Sequence, residues 1–325
     1  MATVKDLIVE SIYVADGQLL NHQVGLLRPS NANLPIEILR ERFHEDGYLF
    51  VKSLLPRDHV LKARESYFRF LSASDVLKPG TSPVDGIFNL DQPLSNFPGL
   101  SSRKSDLEKP KSKQAALFSE LTAKAHNEEW YTDDFCKHPN LIEFVARITQ
   151  WKDVRQFKRS LFRCNLPQSE PIGVHYDQMF LRQGDVTNIT AWCAMGDVKI
   201  NGGGLMYLEQ SKVLGEEFET SFTHQAFQSG LSWQEAKSPY NKNMTISGGL
   251  STEPAKFAAQ HNCRWLISSF EAGDVVLHDP FVIHASTVNT DPKSTIRLST
   301  DLRFYDASRP YDQRWLQQFF PGDEV

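Results

Sequence analysis

The chain has 325 residues, of which 40% are hydrophobic and 23% charged, and a formal net charge of −5. This is a globular composition with no basic footprint for nucleic acid. No uncharged apolar run approaches the roughly 20 residues of a membrane helix, and the scattered Cys136, Cys164, Cys193 and Cys263 form neither a zinc motif nor a disulfide framework.

Residues 1–35 mix short apolar runs with Asn and Pro and read as an arm, with an edge strand at most. Lys5, Asp6, Glu10 and Asp16 break any apolar core of a signal peptide, and the last four residues are not a peroxisomal address, so a cytoplasmic protein is expected. Ile36, Leu39 and Phe43 recur at helical spacing in 34–48, and Asp46-Gly47 stops the helix. A buried strand over 48–51 and an amphipathic helix over 59–71 follow. Residues 72–113 change to Pro, Gly, Ser and alternating charge. So long a connection is expected to be either a mobile lid or disordered. Helices are expected over 114–126 and 141–149.

After Trp151 the pattern becomes strand-rich. Strands are expected over 154–164, around His175, over 187–195 and over 205–208. Residues 209–262 form a polar, partly helical insertion. Further strands fall over 265–269, 274–278, 281–288 and 294–304, and 311–320 reads as a closing helix. Helices first and antiparallel strands after predict an α+β domain spanning 1–325 with a sandwich or jelly roll. The run Gly202-Gly203-Gly204 is not a phosphate loop, because a strand rather than a helix follows it.

The chemistry centres on His175-x-Asp177. On a strand, such a pair faces one side about 6–7 Å apart, close enough to share a metal ion. Two His and one carboxylate on one face is the non-haem Fe(II) arrangement, so a third ligand should be a late His. A hairpin centred between Thr290 and Asp291 would pair His284 with Arg297 and set Ser286 on the same face. Arg presents a planar fork suited to a carboxylate. His278 and Arg303 are the competitors. Each lies six residues from its rival, roughly 20 Å along an extended strand, and both are expected to be structural unless Asp279-Pro280 bends the chain. Met179, Phe180 and Arg182 are either pocket lining or core.

Taken together, His175-x-Asp177, the run 191–195, Gly202-Gly203-Gly204-Leu205, Gly273-Asp274-Val275-Val276 and His284-Ala285-Ser286 through Arg297 resemble the phytanoyl-CoA dioxygenase family. The resemblance spans most of 38–305. It implies a double-stranded β-helix (cupin-like jelly roll) with flanking helices, and an oxygenase using Fe(II), 2-oxoglutarate and O2. It implies His175, Asp177 and His284 as iron ligands, and Trp192, Ser286 and Arg297 as 2-oxoglutarate contacts, with Arg297 gripping the far carboxylate. Within the family the chain is most similar to fungal members that tailor aromatic polyketides by oxidative ring expansion or methyl oxidation. That similarity implies hydrogen abstraction from a small secondary metabolite. Hydroxylation of an acyl-CoA or another small molecule, a zinc hydrolase, and a metal-binding protein without catalysis stay open as alternatives.

Overall fold

The computed structural model describes residues 11–99, 112–237 and 249–323. The arm is tied down more firmly than its composition suggests. Strands β1 (Tyr13–Val14) and β2 (Gly17–Gln18) pair with each other. Strand β3 (Val24–Leu26) adds in parallel to one sheet, and β4 (Pro29–Asn31) adds in parallel to another. Helix α1 (Ile36–Asp46) ends at Gly47, whose φ of 73° is left-handed. A Cβ there would also lie 2.6 Å from Val282, so glycine both stops the helix and leaves room for the turn at 279–282. There follow β5 (Tyr48–Lys52), α2 (Arg57–Phe70), α3 (Lys113–Ala125) and α4 (Pro139–Thr149).

The second half supplies β6 (Val154–Gln156), β7 (Leu161–Asn165), β8 (Asn188–Ala194) and β9 (Leu205–Leu208). Helices α5 (Lys212–Gln228), α6 (Trp233–Lys237) and α7 (Pro254–Gln260) occupy the insertion. Strands β10 (Trp265–Ile267), β11 (Val275–His278), β12 (His284–Ser286) and β13 (Arg297–Asp306) complete an α+β protein. The larger sheet runs β4-β5-β11-β8-β13-β6, with β7 also on β13; the smaller runs β12-β9-β10-β3.

Period two sorts the side chains into layers. In the larger sheet Leu49, Val51, Ala191, Cys193, Val275, Leu277, Leu298 and Leu302 point outward into one core with the helices. Their neighbours Tyr48, Phe50, Trp192 and Val276 point inward and pack against Leu205, Tyr207 and Leu266 of the smaller sheet. The other face of the smaller sheet is covered by Val174, Tyr176, Met179 and Phe257. The two sheets therefore face each other, and the space between them holds the site.

Several expectations need correction. The strand over 154–164 is broken, because Arg159 turns away to pair with Asp323 and to stack on Trp315 and Phe319. The stretch around His175 is not a full strand. His175 and His284 form a reciprocal pair of backbone hydrogen bonds, and Asp177–Phe180 then curls into a 3-10 turn whose Gln178 amide donates to Pro280 O. Strands β12 and β13 are not a hairpin: His284 pairs with Tyr207 in the smaller sheet, and Arg297 with Asn165 in the larger. The intervening chain crosses between sheets, with the Asn289 side-chain Nδ2 donating to Thr295 O. The expected lid is anchored over 72–99. Val76, Phe88 and Phe97 are buried in the helical core, and Gly86 and Phe88 bond to Ile296 and Ser294. The remainder, 100–111, lies outside the described residues. The closing helix is a single 3-10 turn, Gln313–Leu316.

Candidate metal centre and co-substrate cavity

The backbone bridge between residues 175 and 284 brings their imidazoles together, with ring centroids 4.2 Å apart. Asp177 enters from the 3-10 turn rather than from a strand. One ligand atom from each of His175, Asp177 and His284 lies within 4.8 Å of the others. Each His is oriented the same way: its Nδ1 lies 2.9 Å from the carbonyl two residues earlier, Gly173 O and Val282 O. Nδ1 therefore carries the proton, and Nε2 keeps a bare lone pair aimed into the cluster. Burial lowers the pKa of both imidazoles, which favours the neutral form a metal requires. The donor set suits Fe(II).

Asp177 is 1% exposed. Burial alone would raise its pKa, but the Arg303 guanidinium and the His278 hydrogen bond outweigh that and hold it well below the usual carboxylate range. His278 and Arg303 therefore reach the site through Asp177, His278 by the turn after Asp279-Pro280, the exception that the sequence allows. His278 Nε2 lies 3.0 Å from Asp177 Oδ2, and Arg303 Nη2 donates to Oδ1 at 2.7 Å. His278 and His284 sit on different sheets joined by a turn at 279–282, with ring centroids 4.6 Å apart, whereas Arg297 and Arg303 keep their six-residue separation along β13 and only Arg303 reaches Asp177. Thr190, which the sequence did not single out, donates its hydroxyl to Oδ2. The signal for Arg303 was present: Arg297, Ser299, Asp301 and Arg303 share one face of β13 by period two.

Arg297 is 2% exposed, and its Nε donates to Gly203 O at 2.9 Å while Nη1 donates to Ser299 Oγ at 2.6 Å. Its Nη2 has no partner, and no carboxylate pairs with it among the described residues. Burial lowers its pKa to about 10, so it stays charged at neutral pH. A buried cation with a spare donor calls for an anion. Arg297 lines a cavity of about 330 Å³ together with Asn165, Arg163, Tyr67, Phe97 and Phe118. Trp192 Nε1, buried between the sheets, is also unpartnered. Ser286 Oγ accepts from the Ile172 amide at 2.8 Å and keeps its own proton to donate. The spare Nη2 of Arg297, buried and charged, suits one carboxylate of a dicarboxylate such as 2-oxoglutarate.

The remaining candidates divide. Met179 is fully buried in the core behind the smaller sheet, and Arg182 is bound by both oxygens of Glu219 on α5 at 2.7 Å. Phe180 stands edge-on to the His175 ring at 6.1 Å.

A family model described as phytanoyl-CoA dioxygenase (PhyH) matches residues 43–297. No curated protein sequence matches the chain. Among solved structures, the non-heme alpha ketoglutarate dependent carbocyclase SnoK from nogalamycin biosynthesis superposes with a TM-score of 0.53 at 16% identity. That match covers 92% of this chain and 96% of SnoK, and it shows a shared fold. The epimerase SnoN, solved with Fe3+, alpha ketoglutarate and nogalamycin RO, gives a TM-score of 0.47 at 17% identity over 85% of each chain. AviO1 from Streptomyces viridochromogenes Tue57 gives 0.45 at 16% identity, over 86% of this chain and 98% of that one.

Proposed function

Because this chain belongs to the phytanoyl-CoA dioxygenase family and is an iron- and 2-oxoglutarate-dependent oxygenase, we propose that it oxidises a small aromatic polyketide on iron held by His175, Asp177 and His284. The reading treats residues 1–325 as one domain and the facing sheets as a double-stranded β-helix. The observation that carries it is the triad itself, with two bare Nε2 atoms and one carboxylate oxygen converging from separate elements.

Bound iron, 2-oxoglutarate and O2 supply oxidative decarboxylation of the keto acid to succinate and carbon dioxide, coupled to hydrogen abstraction from the substrate. The chain's own residues do the positioning. Gly173 O and Val282 O fix the imidazole tautomers. Arg297 Nη2 takes the far carboxylate of 2-oxoglutarate, with the Ser286 hydroxyl and Trp192 Nε1 as further donors. Burial of these groups excludes water, which strengthens each charged contact. The cavity of about 330 Å³ that Arg297 lines is walled by none of the three metal-site residues, so it bears on the co-substrate carboxylate and not on the substrate class.

The test is mass spectrometry after incubation with Fe(II), 2-oxoglutarate and candidate aromatic polyketides beside a fatty acyl-CoA. A hydroxylated or ring-expanded polyketide supports the reading. Oxidation of the acyl-CoA with every polyketide untouched overturns the substrate class.

A further inference from the structure

Asp177 sits against three donors that no part of the family assignment explains. They come from three adjacent strands of the larger sheet. Backbone register sets His278 of β11 opposite Thr190 of β8, and Thr190 opposite Arg303 of β13. All three point to the inner face, and none is more than 2% exposed. The sheet thus presents a straight row of imidazole, hydroxyl and guanidinium along the Asp177 carboxylate.

A carboxylate has about four lone-pair positions, two on each oxygen. His278 Nδ1 faces the Tyr207 hydroxyl at 3.3 Å, so Nε2 bears the proton and donates to Asp177 Oδ2. Thr190 donates to the same oxygen, which fills both of its positions. Arg303 takes one position on Oδ1. One position is left, on the oxygen that lies 3.9 Å from His284 Nε2.

We propose that Thr190, His278 and Arg303 are positioning residues that confine Asp177 to ligation through Oδ1 alone and so reserve metal positions for the keto acid. The proposal rests on Asp177 being a ligand. A carboxylate that closed on the metal with both oxygens would occupy a position that a two-pointed co-substrate or O2 needs. Charge follows the same logic. Arg303 offsets the buried carboxylate before a metal arrives, so the ligand is held in place in the metal-free protein. Of the three, Thr190 and His278 govern Oδ2, and they are the ones to remove.

The experiment uses full-length Thr190→Val/His278→Phe and two titrations. Mn(II) binding is followed by electron paramagnetic resonance. 2-Oxoglutarate is titrated into the anaerobic Fe(II) protein, followed by the visible charge-transfer band. Freeing Oδ2 should weaken 2-oxoglutarate by about tenfold or more beyond any change in Mn(II) affinity, and shift the band. If the double variant does not fold, Thr190→Val alone is compared with Thr190→Ser, which restores the hydroxyl and should restore 2-oxoglutarate affinity. Equal loss of both affinities, or loss of neither, overturns the proposal. Absence of Mn(II) and 2-oxoglutarate binding in the wild-type protein would instead sink the oxygenase site itself.

Discussion

Replacing Arg297 by Ala should weaken 2-oxoglutarate binding while sparing the metal. The structure sets the size of the effect. Nε and Nη1 are committed to Gly203 O and Ser299 Oγ, and Nη2 alone is spare. The co-substrate would therefore gain one charge-assisted contact in a buried site. Truncating one partner of such a pair costs about 2–5 kcal/mol. At about 1.4 kcal/mol per tenfold, affinity should fall roughly 25-fold to several thousand-fold. Arg297→Lys should recover only part, because an ammonium cannot keep the fork that also holds Gly203 and Ser299. The assay is calorimetric titration of 2-oxoglutarate into Mn(II)-loaded protein, with Mn(II) affinity measured separately. An Arg297→Ala protein that binds 2-oxoglutarate within about threefold of wild type, less than 1 kcal/mol, refutes the assignment.

Three further outcomes are expected. Asp177→Ala strands the Arg303 guanidinium, so the metal-free variant should lose about 3–5 kcal/mol in urea unfolding, whereas Asp177→Asn should lose metal binding with a smaller stability cost. Glu219→Ala likewise leaves buried Arg182 without its carboxylate, and should destabilise by a similar amount, about 3–5 kcal/mol, by the same measurement. His126 is locked neutral: its Nδ1 faces Thr122 O, the Phe162 amide donates to Nε2, and burial lowers its pKa to about 4. Its folded pKa is below the unfolded value near 6.5, so its contribution is intact above pH 6.5 and fades as pH falls toward 4, by about 3 kcal/mol in all. His126→Phe should flatten the pH dependence of unfolding in that window; an unchanged slope contradicts the assignment.

The meeting of His175, Asp177 and His284 was legible because chemistry restricts which residues can share a metal. Few residue types bind iron, and His175, Asp177 and His284 carry the spacing of a known family. Their geometry was not legible. His-x-Asp reads as two positions on one strand face, yet the chain bonds once to His284 and then turns into a 3-10 helix. Likewise, Asn289-Thr290-Asp291-Pro292 has the residues of a hairpin turn, and local turn chemistry says nothing about which sheet each flank joins. Pairing of Arg297 with Asn165, 132 positions earlier, is a long-range fact. The same gap hid Thr190 and the convergence of His278 and Arg303 on Asp177. In 72–99 the Pro, Gly and Ser content hid the packing, because Val76, Phe88 and Phe97 supply buried anchors.

The most direct test of the central claim is succinate formation from 2-oxoglutarate by purified protein with Fe(II) under air, compared with His284→Ala and His278→Ala. Wild-type protein should form succinate, His284→Ala should form none, and His278→Ala should retain Mn(II) binding because His278 touches the ligand and not the metal. No succinate from wild type with the candidate substrates present, or wild-type turnover by His284→Ala, would contradict the account.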